Sequence, residues 1–231
     1  MCLTVTGFVV PTIYKRIPIN VKKYLLNTEQ TTHNKFNVFQ YIKECPVEII
    51  DYSVENLHNI NKRFPDIKTW HFPFPVFLQK HKLRCLKKDI NVCSFDNSVY
   101  RHNILCRIPF KDLNHKWGEE RDAFIEKSKI LLNIHFDQNY NIFESIKCYH
   151  AFEKGCLIVS QTSENMDLVL LKDLIYFDKL ENLCNTVNVV LKDYEEIYND
   201  VFSDENISNV NKFFIDYYDH TLKKMNWIDN I

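Results

Sequence analysis

Residues 143–161, FESIKCYHAFEKGCLIVSQ, run from a helix-like segment through a glycine into a short apolar segment. Gly155 is one of only three glycines in 231 residues. Glycine adopts left-handed backbone without a Cβ penalty, so it suits the end of a helix where the chain turns back. The stretch therefore reads as a helix over 143–154, a stop at Gly155 and a strand over CLIVS, 156–160. Within the helix, Glu144, Lys147 and His150 recur at three-residue steps along one drifting stripe. Such a stripe is either a solvated face or a set of functional groups, and spacing alone leaves both readings open.

Outward from this unit the same alternation repeats. KILLNIHF (129–136) is a continuous apolar run that reads as a buried strand ending near Asn133 and His135. The loop DQNYN then leads into the helix. Further strands are expected at KYLLN (23–27), VEIIDYS (47–53), INVCSF (90–95), DLVLL (167–171) and LIYF (174–177). CLTVTGFVV near the start also reads as a strand, because it has no basic segment before it and no small-residue cleavage site after it. Helices are expected over NKFNVFQYIKEC, from Ser53 onward, over 98–107 and 119–128, and near 178–193 and 208–225. Strand and helix in turn favour parallel sheets covered by helices. Pro65, Pro73 and Pro75 interrupt regular structure and mark the junction between two domains, 1–75 and 76–231. In open parallel sheets ligands bind at the carboxyl ends of the strands, and a helix N-terminus there attracts phosphate oxygens.

Composition narrows the function classes. With 45% apolar and 26% charged residues the chain can bury a core. Its 29 basic and 30 acidic side chains leave a net charge of −1, which gives no general attraction to nucleic acid, and none is expected as a partner. No run approaches the ~18 apolar residues that cross a bilayer, so no transmembrane segment and a cytoplasmic location are expected. The eight cysteines are scattered without a C-x-x-C pair and read as reduced, mostly buried thiols. A zinc site from His81, Cys85 and Cys93 can be drawn, but its spacing fits no standard pattern, and packing is the better account.

Three stretches, in order, resemble one family. YLLNTEQ (24–30) followed by IIDYSVENL (49–57) is similar to an Asn-x-Glu-Gln strand end and an Asp-Tyr-Ser-x-x-Asn element. WGEERDAFIEKSKILLNIHF (117–136) is similar to Gly-Glu-x-Arg-Asp followed by a Ser-Lys-Ile-x-Leu-Asn-Ile-His strand. The third is 143–161, with its acidic residue, basic residue, glycine and apolar strand ending in serine. They resemble nucleotide-sugar-dependent glycosyltransferases of the GT-B type, in a branch common in giant viruses and bacteria, and the resemblance extends over roughly residues 16–178.

The resemblance implies an α/β fold of two Rossmann-like lobes with parallel sheets covered by helices. The N-terminal, acceptor-side lobe would be reduced (1–75), and the C-terminal lobe (76–231) would bind the nucleotide sugar and carry the terminal helices. It implies a hexosyltransferase-like enzyme without a cofactor. The donor substrate is a nucleotide-diphosphate sugar, and the acceptor is a glycan, a protein or a small molecule. No obligatory metal is implied, and no Asp-x-Asp pair is present. The location implied is the cytoplasm, that of the host if the gene is viral.

Carried over by position, the donor side comprises Arg101, Asn133, Glu144, Lys147, His150 and Ser160. Lys147 offers a cation to the diphosphate and Glu144 a carboxylate to sugar or ribose hydroxyls. Many GT-B enzymes have a glutamate at the place of His150. Candidate catalytic groups are Glu29, Asp51 and His135, and the acceptor side adds Gln30, Ser53, Glu55 and Asn56. Competing local readings stand beside these: Ser53 is a plausible N-cap, Asp51 suits backbone donors of its own turn, and His135 is either structural or functional. An inverting enzyme needs a base for the acceptor hydroxyl, whereas a retaining one does not, and both remain open.

The chain also departs from the family. FDNSVYR (95–101) stands where the family usually reads Gly-Ser-x-Asn-x-Arg-Arg, which puts Phe95 at the glycine and Tyr100 at the first arginine. Phe95 favours an alternative, a catalytically weakened nucleotide- or glycan-binding relative acting as a binding or scaffold module. A third reading makes FFIDYY (213–218) an aromatic face that covers a neighbouring domain or a second chain.

Overall fold

The structure is a computed structural model that describes residues 2–5, 18, 20–31, 38–44, 47–164, 166 and 169–228. The chain divides into two units, Met1–Pro73 with His220–Ile231, and Phe74–Asp219. The expected second domain began at 76 and ran to 231; in the structure residues 220–231 belong to the first unit instead.

In the first unit β1 (Cys2–Val5), β2 (Lys23–Asn27), β3 (Glu48–Asp51) and β4 (Thr69–His71) form a parallel sheet in that order. Alternation along the strands decides which side chains face which layer. Leu25 and Ile49 pack with Val38 and Ile42 of α1 (Val38–Glu44) and with Leu57 and Ile60 of α2 (Val54–Arg63). Their neighbours Tyr24 and Ile50 pack with Met225, flanked by Trp70 and Trp227. Trp227 Nε1 donates to the Tyr24 hydroxyl at 2.9 Å, and the two rings meet edge to face at 5.0 Å. One face of the sheet is thus covered by helices and the other by residues from the far end of the sequence.

The second unit opens with α3 (Lys80–Cys85). Its sheet contains β5 (Ile90–Ser94), β6 (Lys111–Asp112), β7 (Ser128–Asn133), β8 (Leu157–Gln161) and β9 (Tyr176–Asp178) in the order β6-β5-β7-β8-β9, all parallel. Interposed are α4 (Val99–Leu105), α5 (Gly118–Lys127) and α6 (Ser145–Glu153); α7 (Leu183–Lys192), α8 (Tyr194–Val201) and α9 (Asp204–Lys224) follow, with α9 from His220 onward counted in the first unit. From β5 the chain goes first to β6 on one side and then to β7 on the other. The order therefore reverses between β5 and β7, the place where open sheets form a ligand crevice. Ile130, Leu131, Leu132, Leu157, Ile158 and Val159 are at most 1% exposed, as strands covered on both faces require.

Gly155 ends α6 at φ +73. Its N–H donates to Phe152 O at 2.9 Å and the Cys156 N–H to Ala151 O at 3.0 Å, the paired bonds of a Schellman turn.

Several expectations need correction. The strand expected over DLVLL is not found at 169–171, which turn into a 3-10 helix at Lys172–Leu174; residues 167 and 168 lie outside the described residues. The edge beside β8 is taken by β9, and Val169, Leu170 and Leu171 reach the core from the turn. The helix expected from 178 starts at Leu183, because Asp178 ends β9. The helix expected over 208–225 starts four residues earlier at Asp204, and α8 was not expected at all. In the expected helix NKFNVFQYIKEC, residues 34–37 and 45 lie outside the described residues, as do residues 6–10 of the first expected strand. Cys85 and Cys106 are exposed, whereas Cys93, Cys148 and Cys156 are buried. Phe214 is buried in the second unit, while its neighbours Phe213 and Ile215 are exposed.

Candidate functional site

The carboxyl ends of β5 and β7 carry a charge cluster in which Arg101 is buried and Glu144 and Lys147 are half-buried. The Ser98 hydroxyl caps α4 by accepting from Arg101 N at 3.2 Å, which fixes Arg101 in the first turn. The Arg101 guanidinium is 4% exposed. Its Nε donates to Ile134 O just beyond β7 at 2.8 Å, one terminal nitrogen donates to Asn97, and the other donates to both Glu144 oxygens at 3.1 and 3.2 Å. Glu144 is the N-cap residue of α6, yet its side chain does not cap its own helix. Instead it takes a second cation, Lys147, at 2.7 Å. The Lys147 ammonium also lies 5.4 Å from the centre of the Phe95 ring, directly after β5.

Two cations against one carboxylate leave this group with a net positive charge, next to the amides of a nine-residue helix. Burial alone would raise the Glu144 carboxyl, but Lys147 and Arg101 outweigh it and hold it below its ordinary value. Burial pulls the Lys147 ammonium down, and Glu144 only partly restores it.

Beside the cluster, the His135 N–H donates to Gln161 Oε1 at 3.2 Å, and its ring Nε2 lies 3.0 Å from Thr162 O. A carbonyl only accepts, so Nε2 carries the proton and Nδ1 is left as an acceptor. Burial lowers the His135 pKa, which keeps the ring neutral, and Nδ1 is buried without a partner. Asn133 Nδ2 donates to Ser160 Oγ at 2.9 Å, and the Ser160 hydroxyl donates to Gln161 O at 3.0 Å. Gln161 Nε2 donates to the Tyr100 hydroxyl at 3.1 Å. Asn133 Oδ1 and Ser145 Oγ, at the start of α6, are likewise buried without partners. Arg101, Glu144, Lys147, Asn133, His135 and Ser160 are therefore all at one sheet edge. Asn97, Tyr100 and Gln161 belong with them; Asn97 and Tyr100 lie in the FDNSVYR stretch and Gln161 ends the 143–161 stretch, but none of the three stands out as a site residue in the sequence.

His150 is not part of this group. Its Nε2 pairs with Asp122 Oδ1 of α5 at 2.7 Å, and its ring meets Phe74 edge-on at 6.1 Å. Lys154 joins Asp122 and Glu126, each at 3.3 Å. Asp122, the last residue of the Gly-Glu-x-Arg-Asp match, thus ties α5 to α6.

In the first unit the candidates surround Asp51, which is 0% exposed. Its oxygens accept from Asn27 Nδ2 at 2.5 Å, Ser53 N at 2.8 Å and Asn56 Nδ2 at 3.1 Å. The Glu29 carbonyl accepts from Asn27 Nδ2 at 2.7 Å and Asn56 Nδ2 at 3.0 Å, and Thr31 N donates to Asn56 Oδ1 at 2.9 Å. Ser53 caps α2 by accepting from Asn56 N at 3.3 Å, and Glu55 stands in that helix's first turn. Gln30 is buried at 3% exposure. The geometry gives Asp51, Ser53 and Asn56 a structural task, holding the chain after β2 against the start of α2.

Burial pushes the Asp51 carboxyl up to about 7, against the opposing pull of the Asn27, Ser53 and Asn56 donors. An acid whose folded pKa lies above its unfolded value stabilises the fold below the unfolded value and loses that contribution as pH rises through the folded one. The first unit should therefore lose about 2 kcal/mol between about pH 5.5 and about pH 7.5. Trp70 and Trp227 both lie in that unit, so their fluorescence during urea unfolding reads the loss. Asp51→Asn should remove this pH dependence; an unchanged slope in the variant would assign it elsewhere.

Among the described residues no helix is long and apolar enough to cross a membrane, and no three His, Cys, Asp or Glu side chains are grouped to hold a metal ion.

No family model matches the chain. It is 33% identical over 167 residues to uncharacterized protein L140 of Acanthamoeba polyphaga mimivirus, covering 65% of this chain and 52% of L140. Uncharacterized protein R358 of the same virus is 28% identical over 199 residues, 80% of this chain and 68% of R358. The chain thus spans about half the length of L140 (52%). Among solved structures it is similar to TarM, with a TM-score of 0.55 at 12% identity over 96% of this chain and 53% of TarM. The fold is α/β with parallel sheets flanked by helices, as in GT-B glycosyltransferases.

Proposed function

We propose that this chain transfers a sugar from a nucleotide-diphosphate sugar to an acceptor, with the donor held at the carboxyl edge of the second unit. The observation that carries this reading is the Arg101–Glu144–Lys147 cluster, with Arg101 buried and the other two half-buried, which holds an uncompensated positive charge at the reversal point between β5 and β7. As the glycosidic bond breaks, negative charge gathers on the leaving diphosphate. Lys147 and the first amides of α6 are placed to stabilise it. Arg101 is fully engaged by protein groups and acts by orienting Glu144, whose carboxylate accepts from donor hydroxyls. The His135 Nδ1 lone pair accepts from a further hydroxyl. The first unit, with Glu29 and Glu55, would serve the acceptor, which is a glycan, a protein or a small molecule.

A thermal-shift panel of UDP, GDP, ADP and TDP tests the reading. One member at 100 times its Kd should stabilise by about 2.7 kcal/mol. Lys147→Ala should weaken that nucleotide at least about tenfold, since hydrogen bonds to charged groups contribute roughly 1.5–3 kcal/mol. No response from any member would overturn the proposal. A binding module without turnover is the second reading, favoured by Phe95 lying against Lys147 and by the enclosure of Asp51. Nucleoside diphosphate released from a donor distinguishes the two.

A further inference from the structure

Among the described residues Lys147 has one ion-pair partner, Glu144, and that partner is shared. Arg101 takes both Glu144 oxygens, so the ammonium holds Glu144 Oε2 in competition with a nearly buried guanidinium. A lysine side chain has four rotatable carbons and loses considerable entropy when held in one place by a single contact. The second contact is the face of Phe95, 5.4 Å away, on the first residue after β5. Phe95 is half-buried against the core of the unit, so its ring is itself fixed. Glu144 at the N-cap of α6 and Phe95 just after β5 thus hold the ammonium from two sides at the reversal point of the sheet.

We propose that Phe95 is a positioning residue that, with Glu144, holds the Lys147 ammonium over the crevice between β5 and β7 and thereby sets the affinity of the second unit for a nucleoside diphosphate. This rests on the donor reading above. The ring has no donor of its own to offer the phosphates. It limits the positions open to the ammonium, so the ligand meets a charge already in place.

The experiment compares Phe95→Leu, Phe95→Tyr and Phe95→Trp by titration calorimetry with the nucleoside diphosphate that gives the largest thermal shift. Leucine keeps apolar packing and removes the π face, whereas tyrosine and tryptophan retain it. Phe95→Leu should weaken binding about fivefold to thirtyfold, and the aromatic variants should stay within about twofold. In a Lys147→Met background Phe95→Leu should have no further effect. Equal affinity of Phe95→Leu and the parent, or the same loss with and without Lys147, would overturn the proposal. The Lys147 ε-methylene resonance provides a readout without nucleotide: ring-current displaced in the parent and in Phe95→Tyr, undisplaced in Phe95→Leu. If the parent binds no nucleoside diphosphate, the donor reading and the affinity role fall together, and this resonance alone decides whether Phe95 holds the ammonium. An undisplaced resonance in the parent overturns that as well.

Discussion

Replacing Glu144 with alanine should destabilise the second unit by about 3–5 kcal/mol, because the change strips a buried charge of its partner. The Arg101 side chain is 4% exposed and that of Lys147 20%, so neither cation can recover full hydration by a small movement. Glu144→Gln should cost less, since an amide oxygen still accepts from Arg101. Adding Lys147→Met to Glu144→Ala should return part of the loss by removing one of the two cations left facing each other. Denaturant unfolding followed by far-ultraviolet circular dichroism measures all three. A cost below about 1 kcal/mol for the alanine variant would mean that water screens the cluster as it does a surface pair.

Gly155→Ala should cost about 2–5 kcal/mol from two sources. Left-handed backbone penalises any Cβ by roughly 1–2 kcal/mol, and this residue stands at φ +73. A Cβ here would also lie 2.9 Å from Leu83 Cδ2, 2.9 Å from Leu86 Cδ1 and 3.1 Å from the Tyr198 hydroxyl. Leu83 is 4% exposed, and its carbonyl accepts from Tyr198 at 3.2 Å, so this corner can yield only by repacking; such overpacking costs about 1–3 kcal/mol. Asparagine tolerates the backbone angle better than alanine but is larger. If Gly155→Asn is the milder change, backbone strain dominates; if it is the harsher, packing does. A loss under about 0.5 kcal/mol for alanine would contradict both.

What could be read in the sequence follows from how completely each element is buried. KILLN and LIVS are covered on both faces, so their apolar runs are continuous and identify β7 and β8 directly. The edge strands β4 and β6 are TWH and KD, half-buried and exposed respectively, and their existence depends on a neighbour to pair with. DLVLL misled for the opposite reason: its apolar side chains fill the core from a turn, which leaves an apolar run without a strand.

The site shows the same division. Glu144 and Lys147 were visible as a stripe, but their link to Arg101 spans 43 residues of sequence and exists only through the sheet. His150 appeared to continue the stripe. Each three-residue step falls about 60° short of a full helical turn, so His150 stands about 120° around from Glu144 and meets α5 instead. Asp51 and Ser53 were legible both as part of a rim and as local groups, a turn acceptor and an N-cap. The burial of Asp51 and its bonds to Asn27, Ser53 and Asn56 establish the local role.

Tyr24 and Trp227 are joined by a hydrogen bond although 203 residues separate them. During translation the four strands of the first sheet leave the ribosome early, while Met225 and Trp227, which close one of its faces, emerge only after the whole second unit has been made. The later-synthesised unit is then free to fold first, reversing the usual N-to-C order. Until those residues emerge, the Tyr24 and Ile50 face lacks the cover that Met225 and Trp227 give it.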